Sequence, residues 1–107
     1  MKSVYGQIKK DDITVLKTVV ELIKEHDLAV GIHGTSLWNP EYKDIDLVVF
    51  GMARRAQPAD FLDVIDHLKK DLNAEILKQR GDEKVGFEVE LKVRKARFHL
   101  SYVILLT

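Results

Sequence analysis

Cysteine is absent from the 107-residue chain, which excludes disulfides and thiolate sites and accords with a reducing cytoplasm. A surplus of charge is missing too. The 17 basic residues stand against 17 acidic ones, so attraction to nucleic acid or to an acidic membrane is not built into the overall charge, and phosphate affinity has to be local. No apolar run approaches the roughly 20 residues of a spanning helix, and the opening MKSVYGQIKKDD lacks the apolar core of a signal peptide. The expectation is a soluble cytoplasmic protein with no membrane partner. Internal repeats, low-complexity tracts and linkers are also missing, and the length suits one domain, 1–107, with one sheet covered by two or three helices.

What is present reads as an alternation of periods. Ile13, Leu16, Val19, Val20 and Ile23 recur at helical spacing behind Asp11 and Asp12, which suit the first turn and its dipole; this predicts a helix over about 12–25. LAVGIH at 28–33 is short and β-compatible and runs into Gly34, Thr35 and Ser36. Pro40 limits any helix that follows to a turn or so at 36–39. DIDLVVF at 44–50 is the second strand. Pro58 suits the first position of a helix carrying Phe61, Leu62, Ile65, Leu68 and Leu72 and ending near Asn73. AEILKQ, VGFEVELKV and RFHLSYVILL then make a three-strand meander, the first two joined by a turn at Gly81 and Asp82. The fold class is α+β, a mixed sheet of about five strands with helices mainly on one face.

Alternation along 44–50 sends Ile45, Leu47 and Val49 one way and Asp44, Asp46 and Val48 the other, with like-facing Cα atoms roughly 6.5 to 7 Å apart. Two carboxylates therefore leave one face at the mouth of a buried strand. Such a pair can hold divalent ions that clamp the attacking and leaving oxygens of a phosphoryl or nucleotidyl transfer, and Mg2+ suits oxygen ligands shared with phosphate. A strand simply emerging into water would show the same two residues. Upstream, Gly34 lets the backbone approach a phosphate closely, and the amides and hydroxyls of Thr35 and Ser36 can face an anion; capping of a short helix is the other use of those hydroxyls.

Taken in order, strand, Gly34–Thr35, short helix and Asp44-x-Asp46 on the next strand, the chain resembles the nucleotidyltransferase superfamily of the DNA polymerase β type, especially its minimal single-domain members. The resemblance spans most of the chain in element order, with motif identity confined to residues 34–36 and 44–46. Thr35 stands where the family more often has Ser, and the gap from 36 to 43 is shorter than usual. The resemblance implies Mg2+ or Mn2+ at Asp44 and Asp46, a nucleoside triphosphate such as ATP with its β- and γ-phosphates at Gly34, Thr35 and Ser36, and transfer of a nucleoside monophosphate to an acceptor hydroxyl. It also implies a third carboxylate on a later strand, for which Glu90 in VEL is the choice and Glu88 the runner-up; both also fit a solvent-facing strand. Family members are often paired with a small helical HEPN protein in toxin–antitoxin systems, so such a partner is expected to carry the acceptor. A catalytically degenerate nucleotide-binding or protein-interaction module of the same fold is the alternative.

Other residues point less far. Lys92, Arg94, Lys95 and Arg97 form a basic cluster that suits triphosphate or a charged hairpin end, and Arg54 and Arg55 carry the same ambiguity. His26, His33, His67 and His99 lack zinc-ligand spacing; His33 is expected partly buried in its strand. Trp38 is expected to cover the core. The end of the last strand is apolar on both faces, with Phe98, Leu100, Tyr102, Ile104 and Leu106 on one and Val103 and Leu105 on the other. Such an end, left as an open edge, invites either a homodimer or heteromeric contact or cover from the first helix or the SVYGQI segment.

Overall fold

The computed structural model describes residues 5–51 and 58–103. Helical spacing of the apolar residues produces α1, Lys10–Lys24, whose Val15, Leu16, Val19, Leu22 and Ile23 are buried. Asp11 and Asp12 stand in its first turn, but the N-cap is Lys9, which makes no side-chain capping bond. Asp12 is engaged elsewhere: it accepts a short hydrogen bond from the Tyr42 hydroxyl, and the Tyr42 hydroxyl oxygen in turn accepts the Lys9 amide at 3.0 Å. The helix entry is thus tied to the loop before the second strand.

The strand β1, Leu28–His33, leads through Gly34 into a 3-10 turn, Thr35–Leu37, and then to β2, Ile45–Gly51. The helix α2, Pro58–Leu72, buries Phe61, Val64, Ile65 and Leu68; Leu62 and Leu72 flank this stripe and are only partly buried. The strands β3, Glu75–Asp82, β4, Gly86–Val93, and β5, Ala96–Val103, close the described chain. The five-stranded sheet has the order β1-β2-β5-β4-β3. Its β2–β5 pair is parallel and its other pairs are antiparallel. A parallel pair requires a long crossover, and α2 with the β3–β4 hairpin supplies it.

Period-two alternation gives the sheet one apolar face. Ile45, Leu47 and Val49 of β2, Phe98, Leu100 and Tyr102 of β5, and Phe87, Val89, Leu91 and Val93 of β4 are buried in one cluster with the stripes of both helices. Phe61 of α2 is the central plug, its ring 5.9 Å from Phe87 and 5.2 Å from Tyr102. Each fully buried side chain of this size contributes about 1.5–3 kcal/mol by leaving water. At the far end His26, past α1, meets His67 of α2 through a 3.0 Å bond between ring nitrogens, and His67 reaches Asp71 at 2.8 Å.

The other face of the sheet has no helix on it among the described residues. The last strand, as far as Val103, is not left as an open edge: β5 lies inside the sheet, paired on one side with β2 and on the other with β4. Its backbone donors and acceptors are used by those neighbours, so edge-to-edge association through β5 is closed. The edges are β1 and β3. Arg54, Arg55 and the apolar residues 104–106 lie outside the described residues. No helix among the described residues is long and apolar enough to cross a membrane.

Candidate functional site

Asp44 and Asp46 lie at the entrance of β2 beside the Gly34 turn. The strand begins at Ile45, so Asp44 is the residue before it and Asp46 the first polar residue within it. In register Asp46 stands opposite His33 of β1 on one side and opposite His99 of β5 on the other. Gly34 follows His33 directly, with φ 84° and ψ −162°, a combination essentially confined to glycine. A Cβ placed on it would lie 2.3 Å from Asp46 Oδ2. The glycine therefore permits both the turn and the close seating of the Asp46 carboxylate against its backbone.

The two aspartates, Thr35, Glu41, Tyr42 and Lys43 line one open cleft of about 340 Å3, within the size range of small-ligand sites. Ser36 is different. It is fully buried, its carbonyl accepts the Gln7 amide at 3.1 Å, and its hydroxyl has no hydrogen-bond partner among the described residues. Of the three turn residues, Thr35 lines the cleft, Gly34 lies against Asp46, and Ser36 is buried in the protein. Tyr42 is held by burial first and by Asp12 second as the neutral phenol, its pKa pushed up to about 12.

On the open face the strand order decides what meets the aspartates. β5 runs beside β2 and presents Arg97 and His99 to them one for one: Arg97 Nε lies 3.2 Å from Asp44 Oδ1 and His99 Nδ1 lies 3.2 Å from Asp46 Oδ1. Both carboxylates are 24% exposed. Glu90 shares the row, since it pairs with His99, but it belongs to β4 and is separated from Asp46 by the whole of β5, about 9 to 10 Å in two strand spacings. Glu88 comes closer to the histidine, with Oε1 3.6 Å from His99 Nε2, and its other oxygen takes Arg80 Nε at 3.1 Å. The resulting row runs Asp46, His99, Glu88, Arg80 across the sheet. No three His, Asp or Glu side chains among the described residues are grouped so as to hold a metal ion.

Arg97 and His99 were not singled out by sequence reasoning as neighbours of the aspartates. The available signal was their alternation with Phe98, Leu100 and Tyr102, which puts them on the polar face; their position beside β2 needed the sheet order. Trp38 also departs from expectation: it is 70% exposed, next to the Thr35 turn, and does not cover the core. His33 is exposed rather than partly buried.

No protein-family model matches the chain, and no curated protein does. Solved structures do match. Cid1, described for its RNA terminal uridylyl transferase activity, aligns with a TM-score of 0.67 at 17% identity, over 89% of this chain and 32% of its own. A cytoplasmic RNA terminal U-transferase aligns with a TM-score of 0.62 at 16% identity, over 89% of this chain and 30% of its own. The polymerase core of TRAMP, an RNA surveillance complex, aligns at 0.55 and 19% identity, over 87% of this chain and 32% of its own. The chain has the nucleotidyltransferase fold of the DNA polymerase β type. It spans about a third of the length of these structures.

Among the residues of the cleft, the carboxylates are the donors that a divalent ion would use. Mg2+ is usually held by one or two carboxylates with water and substrate phosphate completing an octahedron. Asp44 and Asp46 line the same cleft, and both carry their recorded β5 contact on Oδ1. That set suits an ion that arrives with phosphate, rather than one caged by protein alone.

Proposed function

We propose that the chain is a metal-dependent nucleotidyltransferase domain, 1–107, that moves a nucleoside monophosphate from a nucleoside triphosphate to an acceptor hydroxyl. The observation that carries this reading is the single cleft into which Asp44, Asp46 and Thr35 all open, with Gly34 seated against Asp46. Asp44 and Asp46 would hold Mg2+ or Mn2+, which when bound supplies charge neutralisation and alignment of the reacting oxygens. The bare backbone at Gly34 admits the phosphates to van der Waals contact, and the Thr35 hydroxyl donates to a phosphate oxygen. His99 holds the Asp46 carboxylate in orientation through its Oδ1. In the transfer, the acceptor oxygen bonds to the α-phosphorus, the bond to the β-phosphate oxygen breaks, pyrophosphate leaves, and the hydroxyl proton passes to solvent or a neighbouring carboxylate. Glu90 stands on the far side of β5 from the aspartates, so the reading rests on those two residues. The acceptor is presented by a partner protein, and a small helical HEPN protein is the one the family resemblance suggests.

A second reading, a nucleotide-binding module without transfer, is favoured by His99: an imidazole occupies the place beside Asp46 on the neighbouring strand. Incubation with each labelled nucleoside triphosphate, Mg2+ or Mn2+ and a candidate partner separates the two. Label should move to the acceptor with the native chain and not with Asp46→Asn. Binding without transfer supports the second reading, and no nucleotide binding at all refutes both.

A further inference from the structure

Taking the aspartates as the metal site proposed above, we propose that Arg97 is a switching cation: it neutralises Asp44 while the cleft is empty and moves to a phosphate of the nucleotide once a divalent ion takes the carboxylate. The parallel register pairs Ile45 with Phe98 and Asp46 with His99; Asp44 and Arg97 are the residues that precede Ile45 and Phe98, and they meet through a 3.2 Å contact from Nε to Oδ1. The Arg97 side chain is 49% exposed against 24% for Asp44. The half-exposed side chain stands next to Asp44, which lines the cleft, and it can swing without opening the core. Burial beneath it is supplied by its neighbours Ala96 and Phe98.

Two cations cannot share one carboxylate at full strength. Metal binding to Asp44 leaves a guanidinium without its partner at the mouth of a site whose ligand is anionic, and a planar fork of N–H donors is the group best matched to phosphate oxygens. Conversely, a phosphate that draws Arg97 away frees Asp44 for the ion. Metal and nucleotide thus strengthen each other through one side chain, and by linkage the effect is equal in both directions.

The test measures Mn2+ binding by electron paramagnetic resonance, alone and with saturating α,β-methylene analogues of ATP, UTP, GTP and CTP, in the native chain, Arg97→Ala, Arg97→Lys and a control, Arg80→Ala. Removing Arg97 should tighten Mn2+ alone by about two- to fivefold, the weight of a half-exposed ion pair. It should weaken the analogue in the presence of Mn2+ by about tenfold, as for a lost charged hydrogen bond. The coupling between the two ligands should fall towards one, with Arg97→Lys intermediate and Arg80→Ala like the native chain. Unchanged affinities in Arg97→Ala, or Mn2+ bound more weakly, overturn the switch while leaving the nucleotidyltransferase reading intact. A native chain that binds neither Mn2+ nor analogue overturns that reading and the switch with it.

Discussion

Replacing Gly34 by alanine tests how tightly the turn and the Asp46 carboxylate are joined. Two separate costs arise. The backbone at φ 84° and ψ −162° lies in a region that side-chain-bearing residues occupy only at a cost of order 1–3 kcal/mol. The added Cβ would also fall 2.3 Å from Asp46 Oδ2, 3.1 Å from its Cγ and 3.3 Å from its Cβ, so either the carboxylate or the turn must shift. Together these predict a loss of about 2–4 kcal/mol, and with an unfolding entropy near 2.1 cal/mol/K per residue this lowers Tm by roughly 9–18 °C. Differential scanning calorimetry reads the shift. Asp46→Ala in the Gly34→Ala background divides the two costs, because it removes the carboxylate clash and leaves the backbone strain. Recovery of about 1 kcal/mol or more relative to the single variants means that the carboxylate contact dominates; no recovery means that the backbone does. A Gly34→Ala chain that melts within 2 °C of native, in the sense of no resolvable change on this roughly 9–18 °C scale, and that still binds Mn2+ with nucleotide would refute the close approach itself.

The remaining predictions concern the rim of the cleft. Tyr42, raised to about 12 by burial and then by Asp12, is favoured as the neutral phenol in the folded chain. Its contribution to stability is therefore complete below its ordinary value near 10 and is lost as pH rises from about 10 to about 12. Tyr42→Phe should shrink the alkaline limb of the melting profile, leaving the part that comes from Tyr102, raised first by burial and then by Asp60, and, by leaving the Lys9 amide and Asp12 to water, cost about 0.5–1.5 kcal/mol at neutral pH; an unchanged alkaline profile would count against the buried Tyr42 phenol. Trp38→Ala should change stability by no more than about 0.5 kcal/mol, since the ring is 70% exposed. A loss of several kcal/mol in chemical denaturation would restore the ring to the core.

Periodicity alone carried much of the molecule. The spacing of Leu16, Val19 and Ile23, and of Phe61, Ile65 and Leu68, marked the buried stripes of both helices, and alternation in 44–50 put Asp44 and Asp46 on one side of a strand whose other side is core. Gly34 was legible as a place where the backbone comes close to another group, read as a phosphate; that the group lying against it in the fold is the Asp46 carboxylate was not. The legible properties are local, written in the side chains of consecutive residues. The lateral order of the strands is not local: β5 joins β2 across a crossover of α2 and a hairpin, with Asp46 and His99 paired although 53 positions apart. Alternation says which face Glu90, Arg97 and His99 take, but not which of them stands beside the aspartates. Only the assembled sheet put Arg97 and His99 there, set Glu90 a strand further away, turned the Ser36 hydroxyl inward and left Trp38 in water, because each of those outcomes depends on what packs against the residue from a distant part of the chain.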